Sequence, residues 1–249
     1  MLRRFPDALR KYEDVLNIAP DDAQAVVRQA AIFQAMGDLP RASALLTPLY
    51  SRADDGGTMN TQVYQAILER RTASIIPRLK EVLSKPDSAP DADKVELRFW
   101  LGWAQEIAGD HSGAHQSWTQ AKNELESSLK EQPENYLLIG ELALTEMKLG
   151  ENALAMTLAD RGLAVNPIEK DAVTGPMSLE VVARVAAATG DHDRSIAALQ
   201  KLLSIPYEGP LASHLPLTPA LLKLDPMFDP LRNDPRFTAL TESSAASAY

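Results

Sequence analysis

The amino-acid sequence predicts an all-α solenoid of repeated helix-turn-helix units. A Gly followed by an acidic residue recurs along the chain, and no stretch alternates for long enough to predict a strand. The recurring pairs are Gly37-Asp38, Gly109-Asp110, Gly150-Glu151 and Gly190-Asp191. Gly adopts the left-handed conformation that ends a helix, and the acidic residue suits the start of the next one. Each pair therefore predicts a turn between two helices.

Small residues mark the places where paired helices would cross. Seven residues before each Gly and five after it, the sequence has Ala30, Gly102, Ala143, Ala183, Ala42, Ala114, Ala155 and Ser195. Small side chains at both offsets let two antiparallel helices approach closely, and bulkier neighbours fill the space beside the crossing. The helices of each unit are therefore predicted to pack as a tight pair.

This pattern of small residues, Gly-acid turn and closing Pro resembles the tetratricopeptide repeat family. The plainest copy is AQAVVRQAAIFQAMGDLPRASALLTPLY, residues 23–50, and Pro20 and Pro167 lie where that family's Pro closes a repeat. The resemblance implies a right-handed superhelical solenoid with a concave surface for a protein or peptide partner.

The sequence predicts three regions. Tetratricopeptide-like repeats are expected over residues 1–207, a capping segment over 208–241 and a disordered tail over 242–249. The first repeat is incomplete, and residues 57–90 resemble a degenerate copy in which Arg71 replaces the turn Gly. Residues 112–132 predict a long second helix.

The capping segment contains three Asp-Pro pairs within LLKLDPMFDPLRNDPRFTAL, residues 221–240. Asp accepts hydrogen bonds from the free N–H groups at a helix start, and Pro fits the first helical position. These pairs therefore predict short helical turns whose apolar residues cover the exposed end of the last repeat.

This ending resembles the close of tetratricopeptide regions in bacterial multidomain signalling proteins. In those proteins the repeats follow a protein kinase, a nucleotide cyclase or a winged-helix domain. The resemblance implies that the chain is the repeat region of a larger signalling protein. The kinase motifs GxGxxG, HRD and DFG do not occur in this sequence, so no activity is carried over.

Composition and motifs disfavour several other functions. The net charge of −9 disfavours nucleic acid, and the absence of Cys excludes disulfides and thiolate metal sites. No signal peptide or membrane span is predicted, which favours a cytoplasmic location. His111 and His115 lack a third metal ligand, and no catalytic motif occurs. We therefore predict no enzyme activity, cofactor or metal; a metal-dependent enzyme is the least favoured alternative.

The family resemblance also implies which side chains line the concave groove. The positions that line it in tetratricopeptide repeats correspond here to Glu96, Phe99, Trp103, Glu106, Leu137, Leu144, Met147 and Arg184. Phe99 and Trp103 would anchor a helical or extended peptide. The alternative, in which Trp103 packs against the neighbouring long helix, stays open.

A second function is open at the incomplete first repeat. Leu9, Tyr12 and Leu16 form an apolar face that would need a cover, and another copy of the chain could provide it. Self-association as a homodimer or head to tail is therefore the alternative to peptide binding.

Overall fold

The computed structural model describes residues 3–51, 56–85, 91–211 and 214–242, and within these ranges there is no strand. The α-helices of these residues are α1 (Phe5–Ile18), α2 (Ala23–Met36), α3 (Leu39–Leu46), α4 (Gly56–Leu68), α5 (Ile76–Ser84), α6 (Asp91–Ile107), α7 (His111–Glu131), α8 (Tyr136–Leu149), α9 (Asn152–Val165), α10 (Gly175–Thr189), α11 (His192–Ser204), α12 (Pro219–Leu224) and α13 (Pro235–Glu242). Within the described ranges, 3₁₀ helices cover Thr47–Ser51 and Pro226–Leu231.

Consecutive helices pack in pairs, and each pair packs on the next. The pairs α2/α3, α6/α7, α8/α9 and α10/α11 follow the predicted turns, and α8 also contacts α7 and α10. This arrangement is a helical solenoid like that of tetratricopeptide repeats (TPR-like), which confirms the predicted fold class. Among the first helices of successive units, α2 contacts α4, α4 contacts α6 and α8 contacts α10, while a salt bridge between Glu106 and Lys148 joins α6 to α8. These helices share one face of the solenoid. We call this the inner face.

The predicted turns and crossings are confirmed at atomic detail. All four turn glycines have φ between +80° and +88°. The following Asp38, Asp110 and Asp191 each accept a hydrogen bond from the N–H three residues on, whereas Glu151 does not. At Gly102 an added Cβ would lie 2.4 Å from the indole Nε1 of Trp118. The missing side chain therefore makes room for Trp118 on the paired helix.

The degenerate unit departs from the prediction by one residue. Arg70, with φ +58°, takes the left-handed position instead of Arg71. The Arg70 N–H donates to Ile67 and the Arg71 N–H to Ala66, the same pattern that closes α2 at Gly37 and Asp38. The end of α4 therefore has the same geometry as the end of α2, although it has no Gly. The predicted long helix is confirmed, since α7 has 21 residues.

The capping segment does more than cover the last repeat. The 3₁₀ helix Pro226–Leu231 packs on α10, and α13 contacts α11. However, the segment also reaches the opposite end of the solenoid. The Thr218 hydroxyl donates to the carbonyl of Ala35 in α2, and Tyr64 of α4 donates to Asp225 at 2.9 Å. Because α2, α4 and α10 are first helices, the segment lies on the inner face.

The first described residue also touches the far end of the chain. The guanidinium of Arg3 donates to the carbonyls of Leu202 at 2.8 Å, Ile205 at 2.7 Å and Leu217 at 3.1 Å. Two of these carbonyls lie at the end of α11, where a cation is stabilised by the helix dipole. The beginning and the end of the solenoid are therefore in contact. The predicted tail beyond Glu242 lies outside the described residues.

None of the described helices is both long and apolar enough to cross a lipid bilayer.

Candidate functional site

An apolar pocket opens on the inner face beside the capping segment. It encloses about 590 Å³ of empty space, part of which is open solvent, and is formed mainly by α6, α8 and α10, the first helices of three consecutive units. Its apolar lining includes Val95, Phe99, Leu137, Leu144, Met177 and Leu211. The residues on each helix are spaced three or four apart, so each helix presents one face to the pocket.

The close approach of α8 and α10 forms the floor of this pocket. Gly140 of α8 faces Val181 of α10, and a Cβ at Gly140 would lie 3.2 Å from a Val181 methyl group. Both residues line the pocket. A larger residue at position 140 would therefore separate the two helices and alter the pocket. Residues 210 and 211 of the capping segment form part of the rim.

Two carboxyl groups interrupt the apolar lining. Glu96 on α6 accepts a hydrogen bond from the indole Nε1 of Trp100 at 3.1 Å. Glu141 on α8 is partly buried. Desolvation, with a smaller contribution from the negative charge of Glu96, raises the pKa of Glu141 to about 8. Glu141 is therefore mainly protonated at pH 7.

The structure brings together half of the predicted groove residues. Glu96, Phe99, Leu137 and Leu144 all line the pocket. Leu137 is the most accessible of the four, with 45% of its surface exposed. These residues come from two consecutive repeats, so the pocket depends on how the repeats stack.

The other predicted groove residues are not available to a partner in the expected way. Trp103 is fully buried and stacks on Trp100 with ring centroids 5.4 Å apart. Met147 lies outside the pocket lining, and Glu106 forms a salt bridge with Lys148 of α8. Of the two roles that the sequence left open for Trp103, the peptide anchor does not fit the structure: the ring packs within the solenoid beside Tyr64, Phe99 and Trp100.

Arg184 is buried beneath the capping segment. Its guanidinium pairs with Glu180 at 2.8 Å and with Asp225 at 2.7 Å, and it lies over the Phe228 ring at 4.9 Å. Asp225 and Phe228 both belong to the capping segment. The expected groove position of Arg184 is therefore occupied by a part of the same chain, and Arg184 holds that part in place.

Sequence reasoning missed Glu141 as a site residue. A signal for it does exist, since Glu141 is a single acidic residue within the apolar stretch YLLIGELAL at the start of α8. A carboxyl group in such a stretch lies on a buried helix face and is seldom there for stability alone. No local sequence signal marks Leu211 as a residue of the pocket lining, because its position depends on the path of the capping segment.

The predicted self-association face is partly covered. Leu9 and Tyr12 pack against the main core, and Leu16 is also partly buried. On the same helix Val15 is 38% exposed and Ile18 is 88% exposed. The remaining apolar surface of α1 is therefore shifted towards the end of the helix.

Metal-binding geometry is not found in the described part of the chain, where no three His, Cys, Asp or Glu residues are suitably grouped. His111 and His115 are both exposed at the start of α7.

Comparison with known proteins adds little to this description. No family model matches the chain, and no curated protein matches it. Among solved structures, it is similar to PilW, described as a widely conserved type IV pilus biogenesis factor. The two share 18% sequence identity with a TM-score of 0.47, over 80% of this chain and 85% of that chain. Likeness at this level carries no functional argument. The helices and turns described above define the class: a TPR-like helical repeat protein with an apolar inner pocket.

Proposed function

We propose that this protein is a non-catalytic scaffold that binds a partner protein through a peptide segment seated in the inner-face pocket. The observation that supports this is the pocket itself, which three consecutive repeats form and which apolar side chains line. Helical solenoids use such concave surfaces for binding.

The capping segment restricts where a partner can bind. It covers the inner face near α2, α4 and the middle of α10, so a long groove along the whole solenoid is not free. The partner segment is therefore short, with one or two apolar side chains in the pocket. This distinguishes the protein from repeat proteins that enclose an extended peptide along their full length.

The biological setting that we propose is a larger bacterial signalling protein, in which this region recruits a partner. Support comes from the Asp-Pro-rich ending and its resemblance to the close of repeat regions in such proteins. The upstream domain would provide the enzymatic or DNA-binding activity.

The proposal is tested with a matched pair of surface substitutions. Leu137→Gln alters the pocket, whereas Leu154→Gln alters α9 at a residue with nearly the same exposure, 42% against 45%. A random dodecapeptide phage library is panned on the wild type and on both variants. Peptides selected by the wild type and by Leu154→Gln, but not by Leu137→Gln, are expected. Equal retention by all three proteins, or no selection by any, contradicts the proposal.

Self-association through α1 is the second candidate function, and the exposure of Ile18 favours it. Sedimentation of the wild type at increasing concentration distinguishes the two functions. A dimer of the wild type that the Ile18→Asp substitution abolishes would support self-association.

A further inference from the structure

The two carboxyl groups of the pocket come from neighbouring repeats and face the same space. Glu96 lies on α6 and Glu141 on α8, and both line the pocket. The described residues that line the pocket include no Lys, Arg or His. A pocket that binds only apolar side chains gains nothing from the two carboxyl groups, because their desolvation opposes folding. The pocket chemistry therefore calls for a ligand that is not purely apolar.

Glu141 has no partner among the residues that the structure describes. Glu96 receives the indole N–H of Trp100, but no residue in the described ranges donates a hydrogen bond to the Glu141 carboxyl or forms a salt bridge with it. Buried carboxylates are normally paired, since an isolated one is strongly disfavoured. In the free protein Glu141 therefore holds a proton, and its raised pKa of about 8 agrees with this.

We propose that the pocket binds a peptide segment in which a bulky apolar side chain lies next to a Lys or Arg, with the apolar group against Phe99 and Leu144 and the cation at Glu96 and Glu141. This inference rests on the proposed function of the pocket as a peptide site. Charge complementarity supports it, because Lys and Arg donate several hydrogen bonds that two carboxylates accept. The net charge of −9 also attracts basic segments and repels acidic ones.

Binding of the cation should release the proton from Glu141. The ionisable groups that face Glu141 across the pocket are Glu96 of α6 and Tyr136 of α8, whereas α7, α10 and residues 210–211 contribute uncharged side chains to the lining. A cation favours the ionised carboxyl group. Below the pKa of about 8, each lost pH unit should therefore weaken binding by up to about tenfold, and above it the affinity should level off.

The test uses peptides selected by the wild type and their matched derivatives. Each is titrated calorimetrically into the wild type and into Glu141→Gln, at pH 6 and pH 8.5, alongside a derivative in which norleucine replaces the basic residue. For the wild type, the norleucine derivative should bind about 10- to 100-fold more weakly at pH 8.5. Glu141→Gln should keep only the part of this preference that Glu96 provides, and should show little pH dependence. Circular dichroism and thermal unfolding establish that the variant is folded.

The outcomes separate this inference from the proposed function. Peptides that require Leu137 but show no preference for Lys or Arg would overturn the inference and leave the proposed function standing. Peptides that bind Leu137→Gln as well as the wild type would contradict the proposed function itself. If benzylamine binds as tightly as the peptide, the ligand is a small amine, and the assignment to a peptide is overturned.

Discussion

The environment of a single side chain in this protein depends on which neighbouring residues cover it. Trp103, Glu106 and Glu141 lie on the same inner face, yet Trp103 is buried, Glu106 is paired with Lys148, and Glu141 is unpaired in a pocket. Their sequence positions along α6 and α8 do not distinguish these three environments. What distinguishes them is the neighbouring repeat, which supplies the ring beside Trp103, the cation beside Glu106 and the open space beside Glu141.

Truncation of Trp103 should reduce stability strongly, because its ring fills the interior between α4 and α6 and contacts Tyr64, Phe99 and Trp100. We expect Trp103→Ala to lower the free energy of unfolding by about 3–5 kcal/mol, as for other large-to-small core changes. Urea denaturation followed by circular dichroism measures this. Leu137→Ala, at an exposed residue, is the control and should cost less than about 1 kcal/mol. Similar stability of the two variants would show that Trp103 is not a core residue.

Helices in this chain are specified by local signals, and two different uses of Gly illustrate this. Gly150 ends α8 at φ +85° with no atom near an added Cβ, whereas Gly102 has a helical conformation and Trp118 directly beside it. The first Gly serves the backbone of a single element. The second serves the packing of α6 on α7.

The two glycines should therefore respond differently to Ala. Gly150→Ala should lower the free energy of unfolding by about 1–2 kcal/mol through backbone strain alone. Gly102→Ala should cost about 1–3 kcal/mol, because Trp118 must move. Tryptophan fluorescence separates the causes, since only Gly102→Ala should shift the emission. An unchanged spectrum with Gly102→Ala would indicate that Trp118 does not pack there.

At the scale of the whole molecule, the capping segment joins the two ends of the solenoid. Asp225 is buried and binds both Tyr64 of α4 and Arg184 of α10. Tyr207 adds a further hydrogen bond to Glu180 at 2.6 Å. Every charged group in this cluster has a partner of opposite charge or a hydrogen bond. Such a cluster fixes one arrangement, because any displacement leaves a buried charge uncompensated.

The three Asp-Pro pairs allow a matched test of this tie. Asp225→Ala should lower the free energy of unfolding by about 3–5 kcal/mol, because it removes a buried partner of Arg184. Asp229 pairs with Arg70 and Arg232 at the surface, so Asp229→Ala should cost less than about 1 kcal/mol. Thermal and urea unfolding of both variants give the comparison. Equal losses would mean that the segment is not anchored through Asp225.

Much of the architecture could be predicted from the sequence because its signals are local. Each Gly-acid pair, each small residue at a crossing and each Asp or Thr before a Pro acts through neighbours within a few residues. These signals determined the helices, the turns and the solenoid. They also placed Asp225 and Asp234 at helix starts, where both accept hydrogen bonds from nearby N–H groups.

Only the tertiary structure decided the path of the capping segment and the residues that remain accessible. The contacts of Tyr64 with Asp225 and of Arg3 with Leu217 join residues 161 and 214 positions apart. They depend on the curvature summed over all repeats, and no local pattern records that sum. For the same reason the sequence alone could name Phe99, Leu137 and Leu144 as groove residues but could not show that Arg184 lies beneath the segment. It also could not show that Glu141 faces a pocket in which none of the described residues pairs with it.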